Sequence, residues 1–353
     1  MVQRALLATR RAVRDALRRS AREADLSDGA LLLVALSGGA DSLALAAAAA
    51  HEAPRAGFRA GAVVVDHGLQ QGSDAVAAGA ALQAESLGLS PVHVIRVDVE
   101  ADGAGPEAAA RAARYRAFDE SADRSGAAMI LTAHTANDLA EQVLLGLARG
   151  SGTRSLAGIP PRRGRILRPF LGITRAQTEA ACAEAGVEPW RDPHNADPAY
   201  SRVRVRERIL PVMERELGPG ISAGLGRTAE LMREDADALD GLADELAART
   251  LRRTGEGVEL SVAGLAEQPA ALRNRVIRLA AAEFGAGLSR EHTLAVAALV
   301  VDWRGQGPVF VPGIRAVRDG GAIRLVPQSG SPRTGSVAGT AARMQADPPA
   351  MRD

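Results

Sequence analysis

Ser37-Gly38-Gly39-Ala40-Asp41-Ser42 follows an apolar run, Leu31–Leu36, and leads into an alanine-rich helical stretch, Leu43–Glu52. A buried strand, a glycine-rich turn and a helix in that order aim successive backbone N–H groups at an anion beside the positive helix end. Two glycines let the backbone curl, and the serine hydroxyls add donors. Asp41 offers a carboxylate to a magnesium ion that neutralises polyphosphate oxygens. A plain strand-to-helix turn with a serine cap is the simpler account of such a stretch. Its place after the first strand favours phosphate, and the nucleotide expected is ATP. The stretch is not a Walker loop. That loop needs a lysine, and all 43 basic residues of this chain are arginine.

Working outward, short apolar runs recur at Leu31–Leu36, Ala62–Val65, Val92–Val97 and Ala128–Thr132. Helical stretches separate them at Leu43–Glu52, Asp74–Leu87, Glu107–Arg124 and Asn137–Ala148. Continuous apolar strands, each followed by a helix, predict a parallel sheet covered on both faces. The fold class expected is therefore α/β, a doubly wound and mostly parallel Rossmann-like sheet followed by a smaller, mainly helical domain. In such sheets ligands bind where strand carboxyl ends meet helix amino ends.

The expected organisation has four parts: an arginine-rich helix over 1–28, the nucleotide-binding catalytic domain over 29–216, a helical substrate-binding domain over 217–327, and a disordered tail over 328–353. In the first helix Ala5, Leu6, Val13 and Leu17 share one face and arginines the other, read as a solvated surface. The tail is rich in Gly, Ser, Pro and Ala, with almost no large apolar residue.

Composition narrows the chemistry. The chain has 353 residues and a formal net charge of +1, which argues against wholesale wrapping of nucleic acid but allows a local basic face. Without lysine there is no Schiff-base chemistry on this chain. The single Cys182 excludes a disulfide framework, a four-cysteine zinc site and a cysteine-pair sulfur relay. No apolar run approaches the length of a membrane span, so a soluble, cytoplasmic protein is expected.

Further motifs sit where the sheet would place ligands. Asp66 and His67 end the second strand, at the edge that should receive the adenosine part of the nucleotide; a turn cap explains them equally well. Glu107, Arg111 and Arg114 fall at helical spacing, which alone reads as a surface ion-pair ladder. His134 follows the fourth strand, and Asp138 and Glu141 face one cleft from the helix behind it. Acidic residues there could equally serve the helix dipole. Arg202, Arg204, Arg206 and Arg208 form a dense positive strip, either a solvated face or a contact for RNA phosphates.

The loop at 37–42 resembles the signature of the PP-loop, or N-type, ATP pyrophosphatases, which transfer AMP to a carbonyl oxygen and release pyrophosphate. With Val65-Asp66-His67, Glu107 to Tyr115, His134, Asp138, Glu141, Arg149-Gly150-Ser151-Gly152 and the stretch from Asp192 to Arg206, the chain resembles the tRNA(Ile)-lysidine synthetase family. It departs from the family pattern at His194, Val203 and Asn137.

The resemblance implies a reaction in which the wobble cytidine of a CAU-anticodon isoleucine tRNA is adenylated by ATP. The ε-amine of free lysine then displaces AMP to give lysidine. It implies ATP and Mg²⁺ as cofactors, with Ser37, Gly38, Gly39, Ala40, Asp41, Ser42, Asp66 and His67 binding ATP and Asp41 holding the metal. Asp41, His134, Arg111 and Arg114 would be catalytic, Asp138 and Glu141 would take lysine, and Arg202, Arg204, Arg206 and Arg208 would contact tRNA. A homodimer is the assembly expected of relatives. Rival readings are a tRNA 2-thiolating enzyme, a small-molecule AMP-forming amide synthetase and a non-catalytic ATP-binding RNA chaperone. The first needs cysteines that Cys182 alone cannot supply, and the second an ammonia source.

Overall fold

The computed structural model describes residues 4–24, 26–68, 72–97, 106–190 and 198–328. The expected tail beyond Gln328 and the Asp192–Asp197 part of the last motif lie outside the described residues, as does the side chain of Glu107.

The chain divides into two compact units between Met232 and Arg233. In the first, helix α1 (Arg4–Ala24) precedes β1 (Leu31–Leu36), α2 (Ala40–Glu52), β2 (Arg59–Asp66), α3 (Ser73–Ser86) and β3 (Val92–Arg96). Next come α4 (Pro106–Ser125), β4 (Ala127–Leu131), α5 (Ala136–Ala148), the short α6 (Thr153–Leu156), β5 (Arg162–Arg163), β6 (Ile166–Leu167) and α7 (Arg175–Ala185). One turn of α8 (Ser201–Arg204), a π-helical turn (Val205–Ile209) and α9 (Leu210–Glu216) lead into the long α10 (Ile221–Thr250).

The sheet order is β3-β2-β1-β4-β6-β5, parallel throughout except for the β5–β6 pair. Successive residues of β1 serve two cores, which is why the strand is apolar without alternation. Leu32, Val34 and Leu36 pack on one face with residues of α1, α2 and α7. Leu31 and Leu33 pack on the other with Phe118 and Ala122 of α4. Each such side chain taken fully out of water contributes about 1.5–3 kcal/mol. The chain leaves β1 toward β2 on one side and returns as β4 on the other, so the loops after β1 and β4 diverge and open a crevice.

Two expectations about organisation change. Helix α1 is not a separate segment: Leu6, Val13 and Leu17 are buried in the first unit's core, and Arg14 of its polar face is bound to buried Glu52 through Nε at 2.7 Å and Nη2 at 2.9 Å. The division falls inside α10 and not at 216/217. Gly218, Pro219 and Gly220 separate α9 from α10, and the first three turns of α10 still belong to the first unit.

The second unit is richer in strand than its sequence suggests. Strands β7 (Leu251–Arg253), β8 (Val258–Ser261), β9 (Val309–Val311), β10 (Ile314–Asp319) and β11 (Ala322–Pro327) form an antiparallel sheet in the order β7-β8-β11-β10-β9. Helices α11 (Val262–Ala266), α12 (Ala270–Ala282) and α13 (Arg290–Val301) accompany it. Leu260, Leu265, Ile277, Leu299, Ile314, Ile323 and Leu325 are buried in one core. No helix among the described residues is long and apolar enough to cross a membrane.

Candidate active site

The turn after β1 takes the form its glycines predict. Gly38 sits at φ +81°, a left-handed conformation that L side chains rarely adopt. Its carbonyl accepts from Trp190 N–H at 2.9 Å, and α3 packs behind it through Ala80 and Val76. Gly39 caps α2 without any side-chain acceptor, so the first N–H groups of that helix have no capping oxygen of their own. Ser42 Oγ donates to Gly39 O at 2.9 Å and accepts from Ser37 N–H at 3.2 Å. The hydroxyls therefore brace the loop and leave the first N–H groups of α2 uncapped by any side chain, an arrangement that fits a phosphate.

Asp41 leaves the first turn of α2 toward α7. One carboxylate oxygen accepts from Thr178 Oγ1, and the other lies 3.6 Å from Arg175 Nε. Burial pushes its pKa up, against the pull of Thr178 and Arg175. A carboxylate beside a phosphate loop suits magnesium, which takes one or two protein oxygens and completes its shell with phosphate and water. Among the described residues, no cluster of three His, Cys, Asp or Glu side chains would hold a metal unaided. Cys182 is buried in α7, donates to Ala40 O at 3.2 Å, and has its thiol pushed up to about 11 by burial and by Asp41. It is a packing residue.

Across the crevice Thr135 and Asp138 form a reciprocal capping box that starts α5: Thr135 N–H donates to Asp138 Oδ2 at 2.7 Å. Burial works against the Asp138 carboxylate, but the Thr135 bonds and the Arg175 charge hold its pKa below the ordinary value. Arg175 Nη2 donates to Asp138 Oδ1 at 3.2 Å. Glu141, only 1% exposed, is gripped by Arg206 through Nε at 2.7 Å and Nη2 at 3.1 Å. Arg175 Nη1 lies 3.9 Å away on its other side. Burial raises the Glu141 pKa in spite of these cations.

His134 hydrogen-bonds through Nδ1 with Thr132 Oγ1 at 3.1 Å. Burial, then the charges of Arg168, Arg111 and Arg202, push its pKa down to about 3. Arg168, 5% exposed, donates to Pro160 O at 2.9 Å and reaches the Tyr115 hydroxyl at 3.5 Å. Arg111 donates to the same hydroxyl at 3.3 Å and stacks over its ring. The crevice is thus polarised, with Arg111, Arg168 and Arg202 around His134 and the carboxylates of Asp138, Glu141 and Asp41 on the other side, around Arg175. At the end of β2 the Asp66 carboxylate is held by Gly68 N–H at 2.9 Å, and His67 Nε2 accepts from Arg114 Nε at 3.1 Å.

His67 is also held low, to about 4, by burial and Arg114. Between pH 6.5 and 5 the unfolded chain takes up protons that these folded histidines refuse. Stability is therefore complete above 6.5 and falls as pH drops through that window. Urea unfolding at pH 6.5 and 5 should show the loss, by at most about 1.4 kcal/mol per pH unit for His134. His134→Asn should flatten the slope; an unchanged slope would mean His134 titrates normally.

Most of the residues singled out from sequence converge here. Asp41, Asp138, Glu141, His134 and Arg111 meet in one crevice, and Arg114 stands apart with His67. The arginine strip does not form as expected. Arg202 Nη2 donates to Gln142 at 2.9 Å, Arg206 is committed to Glu141, and Arg204 binds the carbonyls of Pro198 and Ala199 at 2.9 and 2.6 Å. Only Arg208 of the four is fully exposed. The reason is the polar face of α5 opposite them, together with the π turn at 205–209, which breaks regular helical spacing. Sequence reading missed Arg175 and Thr178; the capping box of Thr174 and Gln177, which starts α7 at Arg175, was the available signal.

Comparison with known proteins decides the family. Residues 11–213 match the PP-loop domain and residues 260–323 the TilS substrate binding domain. The tRNA(Ile)-lysidine synthase of Leifsonia xyli subsp. xyli is 63% identical over 311 residues, 88% of this chain and 93% of the relative. The chain belongs to the tRNA(Ile)-lysidine synthase family. The synthase of Thermobifida fusca is 53% identical over 87% of this chain and 94% of its own length. Among solved structures, the U34-tRNA thiolase NcsA from Methanococcus maripaludis, described with its [4Fe-4S] cluster, superposes with a TM-score of 0.53 at 18% identity. That likeness covers 66% of this chain and 81% of the thiolase, and it extends to the fold alone.

Proposed function

We propose that this chain ligates free lysine to the wobble cytidine of a CAU-anticodon isoleucine tRNA, through an adenylated cytidine, at the cost of ATP. The observation that supports it most is the meeting, at the switch point of the sheet, of an uncapped phosphate loop with a carboxylate cluster of Asp41, Asp138 and buried Glu141. ATP would lie with its polyphosphate on the N–H groups of residues 39–42 and its adenosine toward Asp66 and His67. Magnesium at Asp41 would neutralise phosphate oxygens. The cytidine carbonyl oxygen attacks the α phosphorus, the bond to the β-phosphate oxygen breaks, and pyrophosphate leaves.

Arg111 and Arg168 would offset the negative charge that builds during that step, and neutral His134 beside them would offer a hydrogen bond without adding charge. Lysine then approaches from the opposite side. Its ε-ammonium is drawn to Asp138 and Glu141, sheds a proton, and attacks the activated ring carbon; AMP departs with the former carbonyl oxygen. A buried carboxylate of raised pKa, as at Glu141, is suited to accept that proton. A homodimer and a cytoplasmic location belong to the same proposal. The deciding experiment supplies ATP, Mg²⁺, labelled lysine and the CAU-bearing isoleucine tRNA transcript. Label should enter that tRNA with release of AMP and pyrophosphate; an active preparation that leaves it unlabelled overturns the reading.

A further inference from the structure

Arg175 belongs to neither half of the site and touches both. Its guanidinium lies 3.6 Å from Asp41, 3.2 Å from Asp138 and 3.9 Å from Glu141. Its backbone N–H donates to Asn137 Oδ1 at 3.0 Å, and Thr178, one turn along α7, donates to Asp41. The two cations of the cluster differ in commitment. Arg206 makes a bidentate pair with Glu141, whereas Arg175 makes one hydrogen bond of 3.2 Å and two longer contacts. Three carboxylates and two guanidiniums leave one net negative charge, so the carboxylates proposed to receive an ammonium already have a cation between them.

We propose that Arg175 is a positioning residue that serves as a placeholder cation, occupying the seat of the lysine ε-ammonium between Asp138 and Glu141 until lysine displaces it toward Asp41. The inference rests on the reading of this pocket as an amino-acid site. It has a physical logic: three carboxylates crowded together, Glu141 buried and Asp41 and Asp138 partly so, are costly without a cation, and a bidentate arginine cannot leave cheaply. A loosely held one can. Displacement sets a threshold that neutral amino acids, which bring no side-chain ammonium, do not cross.

The consequence runs opposite to ordinary damage. Removing a binding residue weakens ligand binding, but removing a placeholder strengthens it. At pH 8, with the full chain and free lysine but no nucleotide, R175M should be half-saturated at a lysine concentration about tenfold lower than wild type, read by thermal shift. In the complete reaction its KM for lysine should fall while kcat also falls, because Asp41 has lost its neighbour. R175K keeps a cation with fewer donors and should lie between the two; it serves where R175M does not fold. Half-saturation in either variant equal to or above wild type overturns the inference alone. A wild-type protein that does not respond to lysine, in binding or in labelling of tRNA, overturns the pocket reading and the inference together.

Discussion

D41N should release pyrophosphate about 100- to 1000-fold more slowly than wild type in the presence of tRNA, ATP and Mg²⁺, the scale typical of losing one preorganised electrostatic group at a reacting centre. The same substitution should hardly touch stability. The fold already disfavours the charged form of Asp41 by burying it, and asparagine keeps an oxygen to accept from Thr178. A melting temperature within a few degrees of wild type, with catalysis lost, would place the role of Asp41 in the reaction. Full turnover by D41N would remove it from the site.

R206M should lose about 3 kcal/mol of stability, the lower part of the range for stripping one partner from a buried ion pair. Glu141 is 1% exposed and, among the described residues, would keep Arg175 at 3.9 Å as its cation. The lower part applies because Arg206 itself is 22% exposed and because Arg175 remains. Adding E141Q should restore most of the loss, since a neutral pair leaves no buried charge behind. Urea unfolding of both variants decides the point: a single substitution costing under 1 kcal/mol would mean that water reaches Glu141 readily.

Local pattern explains which parts of this architecture were legible. Strands β1 and β4 are apolar along their whole length and β2 through its middle, because helices cover both faces there, and that uniformity is written in consecutive residues; β3, at the sheet edge, carries His93 and Arg96. The loop at 37–42 declares itself through two glycines and its place after β1. Strands β5 and β6 have two residues each and leave no periodic trace. Strands β7 and β8 flank the turn at Thr254 to Gly257, and β7 begins immediately where α10 ends.

The chemistry of the site was legible only in part, and sequence distance is the cause. Asp138 and Glu141 are three residues apart and share a helix, so their convergence follows from spacing. Arg175 lies 37 residues from Asp138, and Thr178 lies 137 from Asp41; no local rule joins them. Arg206 looked like one charge in a solvated strip because its acid partner is 65 positions away. A charge acquires its meaning from what the fold places opposite it.

The hydrogen bond from the Trp190 backbone to Gly38 ties an indole to the back of the phosphate loop. The chain contains two tryptophans, and the other, Trp303, lies under the Arg318 guanidinium in the second unit. With Trp303 exchanged for phenylalanine, the emission of a single indole would come from the edge of the loop itself. Adding ATP to that variant should shift the emission, an optical gauge of polyphosphate at the loop that needs no attached dye.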